Sequence, residues 1–489
     1  MSFASLRRTA FLPVALILSG VAAACRPAPP PADPHYFSEW MQAHVAVARV
    51  ERLSPVLASR LSAYAAVALY EGMAAGSPRL RTLAGQLNGL DTLPQPPEPR
   101  AAYDWATVSI RAQTTVLKRL VPDASPSAQA MIAQLEQRQL DDRRRRGVSD
   151  DMAARSLAYG ETLGNAIARW AGTDRFTETR TLAWTGPAGV QYWVATGTAD
   201  QFVPQSLSAA TDMVAMADPT ATLDAGAATE RSLMMTRPKR KGAATIAGAN
   251  PVRAHEPYWG TLRTFVLDSA ASCSAGTPPA YSEDTTSAFW REAREVYTVT
   301  RSLTPEQRTI GLFWADNPGQ TGSAPAHWTS VMSGLVDELA LDPERTVEMF
   351  ALTGLGQADA FISCWRGKYR HNLLRPVSYI QRHIDSTWRP LVITPPFPEY
   401  PSGHSVQSSA AAEILTHLFG DSVAFTDSTQ VPLGHAPRRY ASFREAANEV
   451  AISRMYAGLH YRAAIYDGMK QGQCVAEQVI RGLRTREAR

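Results

Sequence analysis

The sequence predicts an all-α protein, on three observations. Apolar residues recur at helical spacing through Trp105 to Leu120, Ala153 to Trp170 and Ser405 to Phe419. Helix starts are marked as well: Ser54-Pro55 supplies an N-cap and a first-turn proline, and Thr304-Pro305-Glu306-Gln307 has the form of a capping box. Few stretches alternate apolar and polar residues as a half-buried strand would.

Along the chain, Arg7 and Arg8 precede an apolar run, Ala10 to Ala24, that is too short to span a bilayer and ends in Ala22-Ala23-Ala24-Cys25. Residues 1–25 therefore read as a secretory signal peptide. The small residues before Cys25 resemble a bacterial lipoprotein cleavage site, although Ala22 stands where leucine is usual. The paired arginines alternatively suggest export of a folded protein, but the residues after them fit that pattern poorly. Residues 26–35, opening Arg26-Pro27-Ala28-Pro29-Pro30-Pro31, read as a stiff tether holding the body off a membrane. The expectation is an exported bacterial protein, periplasmic or an outer-face lipoprotein, with a lipid on Cys25 as its membrane anchor.

The helix begun at Ser54 stops near Gly76, and Leu93 to Pro99 links it to the next. From Thr185 to Pro257 the periodicity dissolves into Gly, Ala, Thr and Pro, which reads as a long connection over the surface, placed to help cover a site entrance. No repeat of solenoid period is visible.

At 489 residues and 45% hydrophobic the chain can bury a large core. Its formal charge is only +4, and the basic runs Arg143 to Arg146 and Arg237 to Lys241 lack interleaved aromatics. They read as solvated helix ends and loops, and no nucleic-acid partner is expected. No second apolar stretch reaches the length of a membrane-spanning helix. Cys25, Cys273, Cys364 and Cys474 show no Cys-x-x-Cys spacing, and no His-Glu-x-x-His occurs, so no zinc is assigned. With Cys25 set aside, three cysteines in an oxidising compartment suggest one disulfide and one free thiol.

The chemistry concentrates near the end of the chain in three clusters: Lys368-x6-Arg375-Pro376, Pro401-Ser402-Gly403-His404, and Ser453-Arg454-x5-His460. Together they hold three cations, two imidazoles and a glycine turn, the inventory of a buried oxyanion site. On an unbroken helix Lys368 and Arg375 would share one stripe about 10 Å apart and clamp one anion. Ser402 precedes the helical pattern from Val406 to Phe419 and suits an N-cap, which would put the Gly403 and His404 amides at a helix N-terminus, where anions bind. His404 would then be a positioned proton donor or acceptor, or simply a capping residue. Arg454 and His460, six residues apart, would point roughly 120° apart on a helix. Either the arginine reaches around, or Gly458 breaks the helix and lets His460 face the site; the second reading is preferred.

These clusters, in this order, resemble the shared signature of the vanadium-dependent haloperoxidases and the type 2 phosphatidic acid phosphatases, and all signature positions match. Trp365, three residues before Lys368, and Phe397, within Pro395 to Pro401, resemble the fungal chloroperoxidase branch. Phe313-Trp314-Ala315-Asp316, followed by His327-Trp328, resembles bacterial members. The likeness spans roughly Tyr258 to Gly472.

The resemblance implies two packed helical bundles of the vanadium chloroperoxidase type, an N-terminal half over 36–257 and a C-terminal bundle over 258–489 that carries the active site. It implies vanadate as cofactor, its oxygens held by Lys368, Arg375, Arg454, the Ser402 hydroxyl and the Gly403 amide, with His460 as metal ligand. His404 would be the acid–base residue, and Lys368 would polarise bound peroxide. Trp365 and Phe397 would wall a halide pocket, or equally be core. Asp316 would be a supporting carboxylate that orients Arg454 or a site histidine, or equally end a helix. The other histidines, His327 included, lie in polar or mixed contexts and receive no role.

Three functions fit. The first is a haloperoxidase consuming hydrogen peroxide and halide. The second is a secreted acid phosphatase cleaving small phosphate esters with His460 as nucleophile, since phosphate and vanadate share shape and charge. The third is a non-catalytic oxyanion-binding lipoprotein, against which the two histidines speak, because capture alone needs no proton shuttle.

Overall fold

Helix ends fall where capping chemistry puts them. In a computed structural model that describes residues 28–180, 182–196 and 254–487, Ser54 caps helix α2 (Pro55–Ala74) by accepting from the Leu57 amide. Thr304 and Gln307 close a complete capping box at the start of a later helix, α8 (Pro305–Phe313). Helix α1 (Pro34–Val50) precedes α2, and α3 (Trp105–Leu120), α4 (Pro126–Arg145), α5 (Asp150–Ala171) and the short α6 (Phe176–Arg180) complete the first group. After the irregular connection come α7 (Ala288–Arg301), α8, α9 (Ala324–Glu338), α10 (Pro343–His371), α11 (Pro376–His383), α12 (Gly403–Phe419), α13 (Phe443–Tyr456) and α14 (Arg462–Gly482). No described helix is long and apolar enough to cross a membrane.

Helices α2 and α10 are buried on nearly every face, as helices at the centre of a large core must be. α2 packs on α3 on one side and on α10 on the other, so a single apolar core runs from Trp40 and Tyr64 through Phe350 and Phe361 to Ile414 and Val479. α12 is gripped between α10, α13 and α14. Its contact with α14 is close because Gly468 and Gly472 present no side chain; a Cβ there would lie 3.0 Å from the Ser402 carbonyl and 2.1 Å from that of Val406. That approach holds the N-terminus of α12 in place.

One departure from an all-helical reading is a hairpin of β1 (Phe425–Asp427) and β2 (Arg438–Tyr440), paired antiparallel with Phe425 opposite Tyr440. Three-residue strands are too short to show an alternating pattern in sequence. The hairpin nonetheless positions Asp427. A disulfide joins Cys273 to Cys474, tying the connection before α7 to α14, and Cys364 is a buried free thiol.

The signal-peptide residues 1–25, Cys25 and the basic run 237–241 lie outside the described residues, as do 197–253 of the long connection. Two expectations need correction. The end of the supposed tether is docked: the Arg143 guanidinium donates to the carbonyls of Pro30 at 2.6 Å and Pro31 at 2.8 Å, and Asp33 already caps α1. Arg143 itself is not a solvated helix end. It is 1% exposed and forms a two-pronged ion pair with buried Asp104 at 2.6 and 2.9 Å, whereas Arg144, Arg145 and Arg146 stay at the surface.

Removing one partner of a buried pair strands the other charge, so Arg143→Ala should lower unfolding stability by about 3–5 kcal/mol. Arg145→Ala should change it by less than about 0.5 kcal/mol. Denaturant melts of the two variants measure the contrast.

Candidate active site

The three clusters reach one place by three separate routes. α10 carries Trp365 and Lys368 in its last two turns and ends at Asn372, which adopts left-handed geometry (φ 45°, ψ 39°) and returns its amide to the Lys368 carbonyl at 2.8 Å. Lys368 and Arg375 therefore do not share a helix stripe. Pro376 is the first residue of α11 and holds Arg375 extended (φ −74°, ψ 154°), so the arginine enters from the loop between helices.

Ser402 caps α12 as expected, accepting from the Ser405 amide at 3.4 Å and hydroxyl at 2.9 Å, which leaves its own hydrogen to donate. Gly403 opens the helix, and a Cβ on it would meet Trp365 at 3.4 Å and Lys368 at 3.8 Å, filling the floor of the site. Arg454 sits in the last turn of α13. The helix then stops and Gly458 turns at φ 76°, so the broken-helix reading holds and His460 approaches from the connection to α14.

Lys368, Arg375 and Arg454 are all buried, and none makes an ion pair among the described residues. Burial depresses Lys368 to about 7 and each arginine to about 10. Backbone carbonyls meet part of their demand. Lys368 Nζ donates to Pro398 at 3.1 Å, Glu399 at 3.0 Å and Pro401 at 2.5 Å. Arg375 donates to Phe397 and Leu459, and Arg454 to Trp314. Among the described residues, the buried polar atoms of this site without a hydrogen-bond partner include Arg375 Nη2, Arg454 Nε, His404 Nε2 and Glu399 Oε2. The two unmet arginine donors are costly without an acceptor, and a tetrahedral oxyanion supplies several.

His460 is oriented by Glu399. Nδ1 lies 2.9 Å from Glu399 Oε1, which also accepts from the Tyr461 amide at 3.0 Å. With Nδ1–H donating to Glu399, Nε2 keeps its lone pair, which accepts from Arg375 Nη1 at 3.2 Å. Burial first, then Arg375, Lys368 and Arg454, hold His460 well below the usual imidazole range. Glu399 itself is pushed up to about 8 by burial, against the pull of Arg375 and Lys368. Sequence reasoning passed over Glu399. The available signal was its standing as the sole acid in the Pro395 to Pro401 stretch.

Asp316 does lie beside a site histidine. Its Oδ2 is 3.7 Å from His404 Nε2, an electrostatic distance and not a hydrogen bond. Its other oxygen is 2.9 Å from His327 Nδ1, whose Nε2 reaches Asp427 at 2.8 Å and Thr429 at 2.6 Å. Trp314 stacks on the His327 ring with centroids 4.3 Å apart. Burial alone would depress His327, but Asp316 and Asp427 outweigh it and push it up to about 10. The imidazole given no role in the sequence is thus a buried cation bracing Asp316. Asp427 and Thr429, one hundred residues further on, carried no local signal. His404 is held well below its usual range by burial, Arg454 and the charged His327.

A cavity of about 520 Å³ opens over these groups, with Gly403, His404, Arg454 and His460 at its floor. Trp365 and Phe397 form one wall, their rings 4.9 Å apart, with Lys368 Nζ 5.1 Å from the Phe397 ring and 5.6 Å from that of Trp365. Trp365 is also 1% exposed, so it is both core and wall. The described end of the long connection covers this side: the His255 amide donates to Pro396 at 2.9 Å, and its carbonyl accepts from Trp365 and Tyr369.

Residues 348–486 match a family model described as the vanadium chloroperoxidase second helical-bundle domain. Vanadium chloroperoxidase of Curvularia inaequalis is 26% identical over 32% of this chain, and the match spans 36% of that protein's length. A crystal structure described as the first bacterial vanadium-dependent iodoperoxidase superposes with a TM-score of 0.76 at 32% identity, covering 95% of this chain and 99% of that one. A holo-type bacterial vanadium-dependent chloroperoxidase shares the fold, with a TM-score of 0.60 at 14% identity and 94% of each chain covered.

The His327 bracket has a pH signature. Its folded pKa, about 10, lies above the ordinary 6.5, so the stabilisation is complete below pH 6.5 and is lost as pH rises through 10. Denaturant melts should show wild-type stability falling more steeply between pH 6.5 and 10 than that of His327→Gln, and parallel slopes would refute the charged bracket.

Proposed function

The chain belongs to the vanadium haloperoxidases, and we propose that it holds vanadate in the buried cationic cradle and oxidises halide with hydrogen peroxide to hypohalous acid. The observation that carries this reading is the set of three buried cations that make no ion pair among the described residues, beside an imidazole whose Nδ1 is held by Glu399 and whose Nε2 meets only the Arg375 guanidinium. That donor set suits a tetrahedral oxyanion whose central atom takes a nitrogen ligand. Arg375 Nη2, Arg454 Nε, the Ser402 hydroxyl and the Gly403 amide would hold the oxygens, and Lys368 would join them by exchanging one of its three carbonyl contacts. His460 Nε2 would be the metal ligand. Bound there, vanadate supplies a Lewis acid that activates peroxide without changing oxidation state.

The protein's own groups do the rest. Neutral His404, whose side chain is 17% exposed and lines the cavity, takes a proton from incoming peroxide and returns it to the departing oxygen as water forms. Asp316, at 3.7 Å, stabilises the imidazolium while it exists. Trp365 and Phe397 shed water from a halide held near Lys368. The balance is one halide, one peroxide and one proton giving hypohalous acid and water.

Likeness over nearly the whole chain to a protein described as an iodoperoxidase makes iodide the first halide to assay. Export is part of the proposal: the Cys273–Cys474 disulfide supports an oxidising compartment. With a lipid on Cys25, wild type should fractionate with membranes and Cys25→Ser with the soluble fraction.

Purified protein should oxidise iodide with peroxide only after orthovanadate is added, and His460→Ala should abolish the gain. Glu399→Gln should raise the vanadate needed for half-maximal activity about 10- to 100-fold. Phosphate-ester hydrolysis that vanadate inhibits, with no halide oxidation, would instead establish the phosphatase.

A further inference from the structure

The cavity is far larger than the proposed reaction needs. Peroxide and halide each take up on the order of one or two water volumes, ~30 Å³ apiece. A cavity of 520 Å³ lies in the range of about 300–1,000 Å³ that holds whole organic ligands.

The surplus space is lined in two materials. Leu391, Val392 and Leu433 are apolar, while Asn317, Gln320 and Arg52 are polar. Arg52 comes from the α1–α2 turn, in the first group of helices, where it takes a left-handed conformation (φ 50°). It is half-buried and makes no ion pair or side-chain hydrogen bond among the described residues. Its neighbour Glu51 is turned away, accepting from the amide and hydroxyl of Ser125 at 2.9 and 2.6 Å. The carboxylate that does face the cavity, Asp316, is committed to His327.

Arg52 packs on Gly319, where a Cβ would lie 3.2 Å from Nη1. Asp316, three residues earlier, lies beside His404. Three residues of chain span at most about 10 Å, so the Cα atoms of Gly319 and Asp316, which both line the cavity, lie no further apart than that.

We propose that this cavity binds a second substrate, a small electron-rich aromatic acceptor bearing a carboxylate, and that Arg52 anchors the carboxylate. The inference rests on the halide oxidation proposed above, which supplies hypohalous acid. The π pair of a ring carbon forms the carbon–halogen bond as the oxygen–halogen bond breaks. The hydroxide that leaves takes the displaced ring proton and becomes water.

The test gives full-chain, vanadate-loaded protein iodide, peroxide and an equimolar mixture of 4-hydroxybenzoate and 4-hydroxybenzamide. The ratio of iodinated products is compared with that from reagent hypoiodous acid, and it does not depend on how fast halide is oxidised. Wild type should favour the carboxylate over the reagent ratio by about 3- to 10-fold, the scale of one partly exposed ion pair. Arg52→Gln should return the ratio to the reagent value, and Arg52→Lys should keep part of the preference. A wild-type ratio equal to the reagent ratio overturns the proposal. So does an Arg52→Gln variant that weakens iodide use and leaves the ratio intact, since Arg52 would then serve the halide. Calorimetric titration of 4-hydroxybenzoate without peroxide separates the two readings. Arg52-dependent binding without any halide oxidation sinks the oxidation and not the site, and absence of that binding sinks the site whatever the halide result.

Discussion

Three cations are buried close together, Arg454 at the cavity floor with Arg375 and Lys368 behind it, and no carboxylate among the described residues lies within ion-pair distance of any of them. Such a cluster is unfavourable by itself, and much of the surrounding structure bears on it. Desolvation penalises each charge, neighbouring cations add repulsion at Lys368 and Arg375, and only partial relief comes from the carbonyls of Phe397, Pro398, Glu399, Pro401 and Leu459. Such an arrangement persists where the surrounding packing is stable enough to hold it. The continuous core through α2 and α10, the glycine-mediated contact of α14 on α12 and the Cys273–Cys474 link are that packing.

Carboxylates are present, but one step removed. The Glu399 carboxyl group bonds His460, and only its backbone carbonyl meets Lys368; Asp316 bonds His327 and stands off from His404. A carboxylate placed directly on the cations would neutralise the site and compete with an anion. Placed on the far side of an imidazole, it sets the tautomer and orientation while the positive potential stays open to the cavity. The Asp316–His327–Asp427 series extends the same logic into the hairpin, which explains why an otherwise helical protein keeps two short strands beside its site.

Legibility in the sequence followed whether a residue's role is local. Ser402, Gly403 and His404 act through a helix N-terminus, and a cap announces itself within four residues. Gly458 was readable for the same reason, since helical geometry alone showed that Arg454 and His460 could not share a face. The stripe through Lys368 and Arg375 failed because helical periodicity was extended past Asn372, whose left-handed turn ends α10, and because Pro376 starts a helix here. Arg143 was misread because a run of four arginines looks solvated when only spacing is considered, while its partner Asp104 lies 39 residues away.

By itself, the sequence determined the helical class, the helix starts and the inventory of an oxyanion site, because each depends on backbone geometry and residue type over a few positions. Only the tertiary structure decided what those residues face. The pairing of Glu399 with His460, the bracing of Asp316 by His327 and Asp427, and the entry of Arg52 from the first group of helices join elements separated by 61, 100 and more residues. Contacts at such separation are selected by how whole helices pack, through close approaches such as Gly472 on Val406, and no local pattern records them.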